Sequence, residues 1–146
     1  MDVLIAIKPA YATAICNGTK RYEFRKHPFL FLQPLNDIVV MYATRPIGRI
    51  VGYFGVSRIL KDSPEHLWKT CKDGAWLSEL AFLQYYKTSK YSYALEVGVA
   101  HSLNPSIDPR TLFPDWSPPQ SFMYISELVA QQILHQTQPP EVIANE

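Results

Sequence analysis

Cysteine is scarce: Cys16 and Cys71 are the only two in 146 residues, and they form no C-x-x-C pair. That rules out a disulfide framework and a zinc ribbon, and it makes a reducing cytoplasmic compartment the expected location. The four histidines, His27, His66, His101 and His135, stand at no metal-ligand spacing, and there is no H-E-x-x-H. Glycine occurs only 6 times and builds neither a P-loop nor a G-x-G-x-x-G turn. No metal or cofactor is therefore implied. Ser102 and Ser121 lack the setting of a nucleophile elbow, and Cys71, between Trp68 and Trp76, reads as a buried core thiol. Long apolar runs are missing too. No stretch approaches the ~18 residues of a membrane span. The start, Met1 to Ile5, has no basic region and Lys8 interrupts the apolar run, which argues against a signal peptide.

Apolar surface is plentiful. The composition, 47% hydrophobic and 18% charged, is that of a folded globular chain. Its length suits one domain, expected over residues 1–137, with 138–146 a frayed tail. The 9 Tyr, 7 Phe and 3 Trp exceed what a core of this size needs, leaving some rings for stacking. The net charge of +1 hides an asymmetry: residues 1–61 carry +6 and residues 62–146 carry −5. A basic half of this kind can present a face to nucleic acid.

Val3–Lys8 alternates and reads as a strand. Pro9 suits the first turn of a helix and Gly18 the position just past its end. Strands are expected over Lys20–Lys26, Ile38–Ala43 and Arg49–Leu60, with Gly52 and Gly55 allowing bends. Ser63-Pro64-Glu65 starts a helical excursion, with helices at His66–Lys72 and Trp76–Tyr86. Tyr91–Val99 returns to strand, 104–120 reads as irregular, and Ile125–His135 is an amphipathic helix. Strand connections this short exclude a wholly parallel sheet. The expected class is α+β: a small mixed β-barrel of about five to six strands decorated by helices.

The densest chemistry lies in Lys20-Arg21-Tyr22-Glu23-Phe24-Arg25. Alternation puts Arg21, Glu23 and Arg25 on one face and Tyr22 and Phe24 on the other. A charged row on a half-buried strand needs partners, because isolated buried charge is costly. Such a strand lines a polar cleft.

The ordered segments carry a family resemblance. Ile7-Lys8-Pro9-x-Tyr11-Ala12 and Asn17-Gly18-Thr19-Lys20 lead into Tyr22-Glu23-Phe24-Arg25. Val40-Met41-Tyr42-Ala43-Thr44-Arg45-Pro46, Ile50-Val51-Gly52-Tyr53-Phe54 and Pro118-Pro119-Gln120-Ser121-Phe122-x-Tyr124 come next, in order. In this combination the chain resembles an ASCH domain, a member of the PUA-like superfamily of small β-barrels. The resemblance implies binding of RNA or another single-stranded nucleic acid, or a nucleoside, in a cleft beside the barrel. Lys20, Arg21 and Arg25 would neutralise phosphates, with Lys8 and Arg45 extending the basic rim. Tyr22, Tyr42 or Phe122 would stack a base, and Gln120 and Ser121 would contact the ligand.

The same resemblance offers enzymatic alternatives. One branch is similar to amidohydrolases acting on N4-acetylcytidine, with a lysine after the glycine turn, a threonine on the next strand and a carboxylate from the helical insertion. Lys20 matches the lysine and Asp73 or Glu79 the carboxylate, but no threonine stands at Arg21–Glu23. Glu23 would then activate water with Lys20 as helper. Ribonuclease activity is the other possibility, with Lys20 and Arg25 stabilising a charged phosphorane and Glu23 or Tyr22 near the 2′-hydroxyl. A structural salt-bridge row closing the barrel is the plain alternative for Lys20, Glu23 and Arg25. A protein-interaction adaptor using the carboxy-terminal helix is a third function class. The sequence leaves the oligomeric state open.

Overall fold

The computed structural model describes residues 1–136; the tail expected to fray from Gln138 lies outside the described residues. Six strands form one mixed sheet: β1 (Val3–Ile7), β2 (Tyr22–Arg25), β3 (Ile38–Ala43), β4 (Arg49–Asp62), β5 (Ser92–Ile107) and β6 (Phe122–Tyr124). Their order is β2-β5-β4-β3-β1-β6. β1 and β3 run parallel, and the other pairs are antiparallel. Four helices decorate the sheet: α1 (Pro9–Cys16), α2 (Pro64–Cys71), α3 (Glu79–Tyr85) and α4 (Glu127–His135). Among the described residues, no helix is long and apolar enough to cross a membrane.

The sheet curls into a half-barrel because its two longest strands are broken by register shifts. β4 slips against β5 between Ile50 and Gly52 and again on both sides of Val56, and β3 slips against β4 at Met41/Tyr42. Bulges of this kind raise the local twist. Gly52 is required at its bend: a Cβ there would stand 2.6 Å from the His101 carbonyl oxygen.

β1 and β3 are apolar on both faces, and that produces two cores. Val3, Ile5, Ile7, Val39 and Met41 pack with Ala12 and Ile15 of α1, while Leu4 and Val40 pack with Ala130 and Ile133 of α4. A third core joins Tyr22 and Phe24 of β2 to Leu67, Cys71, Ala75, Phe82 and Tyr86 of the helical excursion.

Two expectations need correcting, and one strand is new. β5 continues to Ile107 where irregular chain was expected, and Ile107 still pairs with Ile50. Pro105 is tolerated because β2 covers β5 only from Tyr93 to Glu96, so no neighbour on that side needs its amide. α3 starts at Glu79, not Trp76, because Ser78 caps it by accepting from the Ala81 amide. Phe122–Tyr124 is a strand, paired with β1 from Val3 to Ile5.

Candidate functional site

The turn that ends α1 sets up the site. Gly18 has φ 86, and the amides of Thr19 and Lys20 both donate to the Ala14 carbonyl at 3.0 Å. The chain doubles back beneath the helix and carries Lys20 into the interior, where it is 1% exposed. Its Nζ donates to the Ala75 carbonyl at 2.9 Å, 5.0 Å from the Tyr11 ring centre and 4.9 Å from that of Phe24. Ala75 is its one hydrogen-bond acceptor among the described residues. The rest of the ammonium lies against those two rings. Burial pushes the Lys20 ammonium down to about 8; the Glu23 carboxylate opposes this and Arg25 adds to it.

Glu23 is 4% exposed and accepts from Arg25 Nη2 at 3.0 Å. The Arg25 fork also crosses to the far edge of the sheet. Nη2 donates to the Ala6 carbonyl at 3.1 Å and Nη1 to Ser121 Oγ at 3.1 Å. β2 and β6 are the two edges of the sheet, so Arg25 laces the open side of the half-barrel. The salt-bridge row is structural in this respect, and it also lines a cleft.

That cleft has a volume of about 480 Å³. Its floor is Lys20, Glu23, Phe24 and Arg25; one wall is Ala6 to Lys8 and Tyr11, the other Leu77, Ala81, Gln84 and Tyr85. Three cations face one carboxylate within it. Lys26 adds a further cation over the Tyr85 ring, 4.7 Å from its centre. The size suits a single nucleotide-scale group.

The predicted site residues divide. Lys8, Lys20, Glu23 and Arg25 line this cleft, and Ser121 holds Arg25. Arg21 lies outside β2 on another groove, with Asn17, Gly18 and Gly98. Its amide donates to Gly74, and its guanidinium makes no ion pair among the described residues. Arg45 is exposed on the loop after β3, where the neighbouring Thr44 amide donates to Ile7 at the end of β1. Asp73 is exposed in the 3-10 turn Lys72–Gly74, Gln120 is exposed before β6, and neither lines the cleft.

The three expected stacking rings are already packed. Tyr22 is 8% exposed in the third core and Tyr42 5% exposed against Trp116. Phe122 packs edge-on to Phe29 at 4.4 Å. Tyr22 and Tyr42 fill the interior because β2 and β3 bury the face that carries them, and Phe122 is half-buried against the first core. Tyr11, Gln84 and Tyr85 line the cleft instead. Tyr11 was visible three residues after Lys8, one helical turn along; Gln84 and Tyr85 carried no signal in the sequence. Burial pushes the Cys71 thiol up to about 12, which makes it an unreactive core group.

Comparison with known proteins agrees with this architecture. The ASCH domain model matches residues 5–105. A protein of Zymomonas mobilis named as an ASCH domain-containing ribonuclease is 25% identical over 142 residues, covering 96% of this chain and 95% of its own. The crystal structure of ASCH from Zymomonas mobilis superposes with a TM-score of 0.83 at 25% identity, over 92% of this chain and 94% of that one. The N-terminal domain of Staphylothermus marinus McrB shares the fold alone, with a TM-score of 0.60 at 12% identity over 91% and 92% of the two chains. By the matched segments and by the fold that carries them, the chain belongs to the ASCH domain family.

Proposed function

We propose that this chain binds single-stranded RNA, holding one nucleotide in the cleft walled by Lys8, Tyr11, Lys20 and Tyr85. One observation carries the reading: a buried ammonium with a single hydrogen-bond acceptor among the described residues, flanked by further cations, lines an aromatic-walled cleft of about 480 Å³. Cations supply a sequence-blind attraction to phosphate, and aromatic walls take a base regardless of its identity. The test is fluorescence anisotropy with a labelled oligoribonucleotide at rising salt. Affinity is expected to fall steeply with salt and to drop in Lys20→Ala. A response flat in salt and unchanged in that variant refutes the reading.

A ribonuclease activity is the second reading, favoured by the kinship with the Zymomonas protein and by the acidity of Lys20. The 2′-hydroxyl would attack the adjacent phosphorus and pass its proton to Glu23. Lys20 would donate a proton to the departing 5′-oxygen, leaving a 2′,3′-cyclic phosphate and a 5′-hydroxyl. A lysine with its pKa near 8 is protonated at neutral pH yet more acidic than usual, which suits a general acid. Cyclic-phosphate products that vanish in both Lys20→Ala and Glu23→Gln are the expected signature; equal turnover in both variants excludes it.

The other two readings have less support. Thr19, the nearest hydroxyl to Lys20 in sequence, donates to Asn17 Oδ1 at 2.6 Å and lines no part of the cleft, so an amidohydrolase would lack its nucleophile. An adaptor role for α4 is also disfavoured, because Ala130 and Ile133 spend its apolar face on the sheet.

A further inference from the structure

We infer that Trp76 is the stacking platform for an unpaired nucleobase at the rim of this cleft. The inference rests on the RNA-binding reading and gives it a base subsite. Of the three tryptophans, Trp68 packs against Phe82 at 5.2 Å, and Trp116 packs between Tyr42 at 5.0 Å and Phe113 at 5.4 Å. Trp76 alone is exposed, at 46%. It belongs to no helix or strand, and its backbone stands at φ 58. That left-handed conformation is an outlier for a bulky side chain, and such outliers gather at ligand clamps. A glycine would occupy the position without strain.

The chain fixes where this indole stands. The preceding residue, Ala75, gives its carbonyl to Lys20, and the following one, Leu77, lines the cleft. The indole meets the Tyr11 ring edge-to-face at 5.8 Å. Tyr11 in turn lies 5.5 Å from Lys8 Nζ and 5.0 Å from Lys20 Nζ. An exposed apolar ring is thus braced beside the two cations suited to a phosphate. A base stacked on Trp76 would place its own phosphate within their field.

The backbone strain supplies a clean test. Trp76→Gly removes the ring and relieves the conformation, which offsets the lost Tyr11 contact, so it is expected to stay folded, checked by its thermal melt. It should nevertheless bind a short oligoadenylate roughly ten-fold more weakly, the size of one lost stack. The slope of affinity against salt should stay unchanged, because no phosphate contact is lost. Trp76→Phe should retain most of the affinity. Tryptophan emission should be quenched by the RNA in the wild type but not in Trp76→Phe, and an abasic oligonucleotide should quench neither. Wild-type affinity in Trp76→Gly, while Lys8→Ala still weakens binding, overturns the platform and leaves the RNA reading standing. Failure of the wild type to bind RNA at low salt overturns both.

Discussion

Arg25 on the first edge of the sheet donates to Ser121 on the last, 3.1 Å away and 96 residues along the chain. The same guanidinium holds the buried Glu23 carboxylate at 3.0 Å and the Ala6 carbonyl at 3.1 Å. Removing it leaves a buried charge without its partner as well as an unlaced seam. Arg25→Ala is expected to cost roughly 3 kcal/mol of stability, read from urea denaturation. Arg25→Lys should recover little, since an ammonium cannot bridge three acceptors in a planar fork. Ser121→Ala should cost about 1 kcal/mol. Any loss of RNA affinity in Arg25→Ala then reflects the seam as much as a phosphate contact.

Lys20 predicts an unusual pH dependence. Its pKa falls from 10.5 to about 8 on folding, driven by burial. Between those values the unfolded chain keeps a proton that the folded chain has released, so stability rises with pH across the window. Denaturation midpoints measured from pH 7.5 to 10 should climb in the wild type and lose this contribution in Lys20→Met. RNA affinity should move the opposite way, weakening as the ammonium discharges above about pH 8.

Rings lining the cleft and rings in the core should separate cleanly by mutation. Tyr22→Phe loses a long 3.4 Å hydrogen bond to Glu96 and a contact with Arg58, both outside the cleft, and should bind RNA like the wild type. Tyr11→Ala removes the wall beside Lys8 and Lys20 and should weaken binding several-fold. Equal effects of the two changes on affinity would contradict the assignment of the cleft.

Gly74 couples stability to the site. A Cβ there would stand 2.8 Å from the Arg21 Cβ and 3.1 Å from the Tyr22 ring. Gly74→Ala must push away the turn that presents the Ala75 carbonyl to Lys20. A stability loss of about 1–3 kcal/mol is expected together with weaker RNA binding. Calorimetry and anisotropy on the same variant check both.

Lys8 is exposed and has no ion-pair partner among the described residues, so it should act as a plain phosphate contact. Lys8→Ala should reduce the slope of log affinity against log salt by about 0.7, the value for one contact to a single strand. Its melting temperature should stay near that of the wild type.

The sequence by itself determined the elements and much of their order. The apolar run of Ile38–Ala43, Pro9 at the start of α1, Gly18 past its end and the Ser63-Pro64 start of α2 are local signals, and local signals survive folding. The curled mixed sheet with its helices is built from them. The cleft chemistry was half legible: Lys20, Glu23 and Arg25 stand out as charge on and beside one short strand, and Lys8 as the cation that ends the first. Tertiary structure alone decided the rest. Tyr22 and Tyr42 look free for stacking until the helical excursion and Trp116 cover them. Trp76 falls within the expected helix Trp76–Tyr86 until the Ser78 cap starts α3 after it and leaves it outside and exposed. Arg25 reads as a phosphate ligand until the two sheet edges meet across it. Burial and partnership are set by which distant segments come together, and residue type alone does not carry that information.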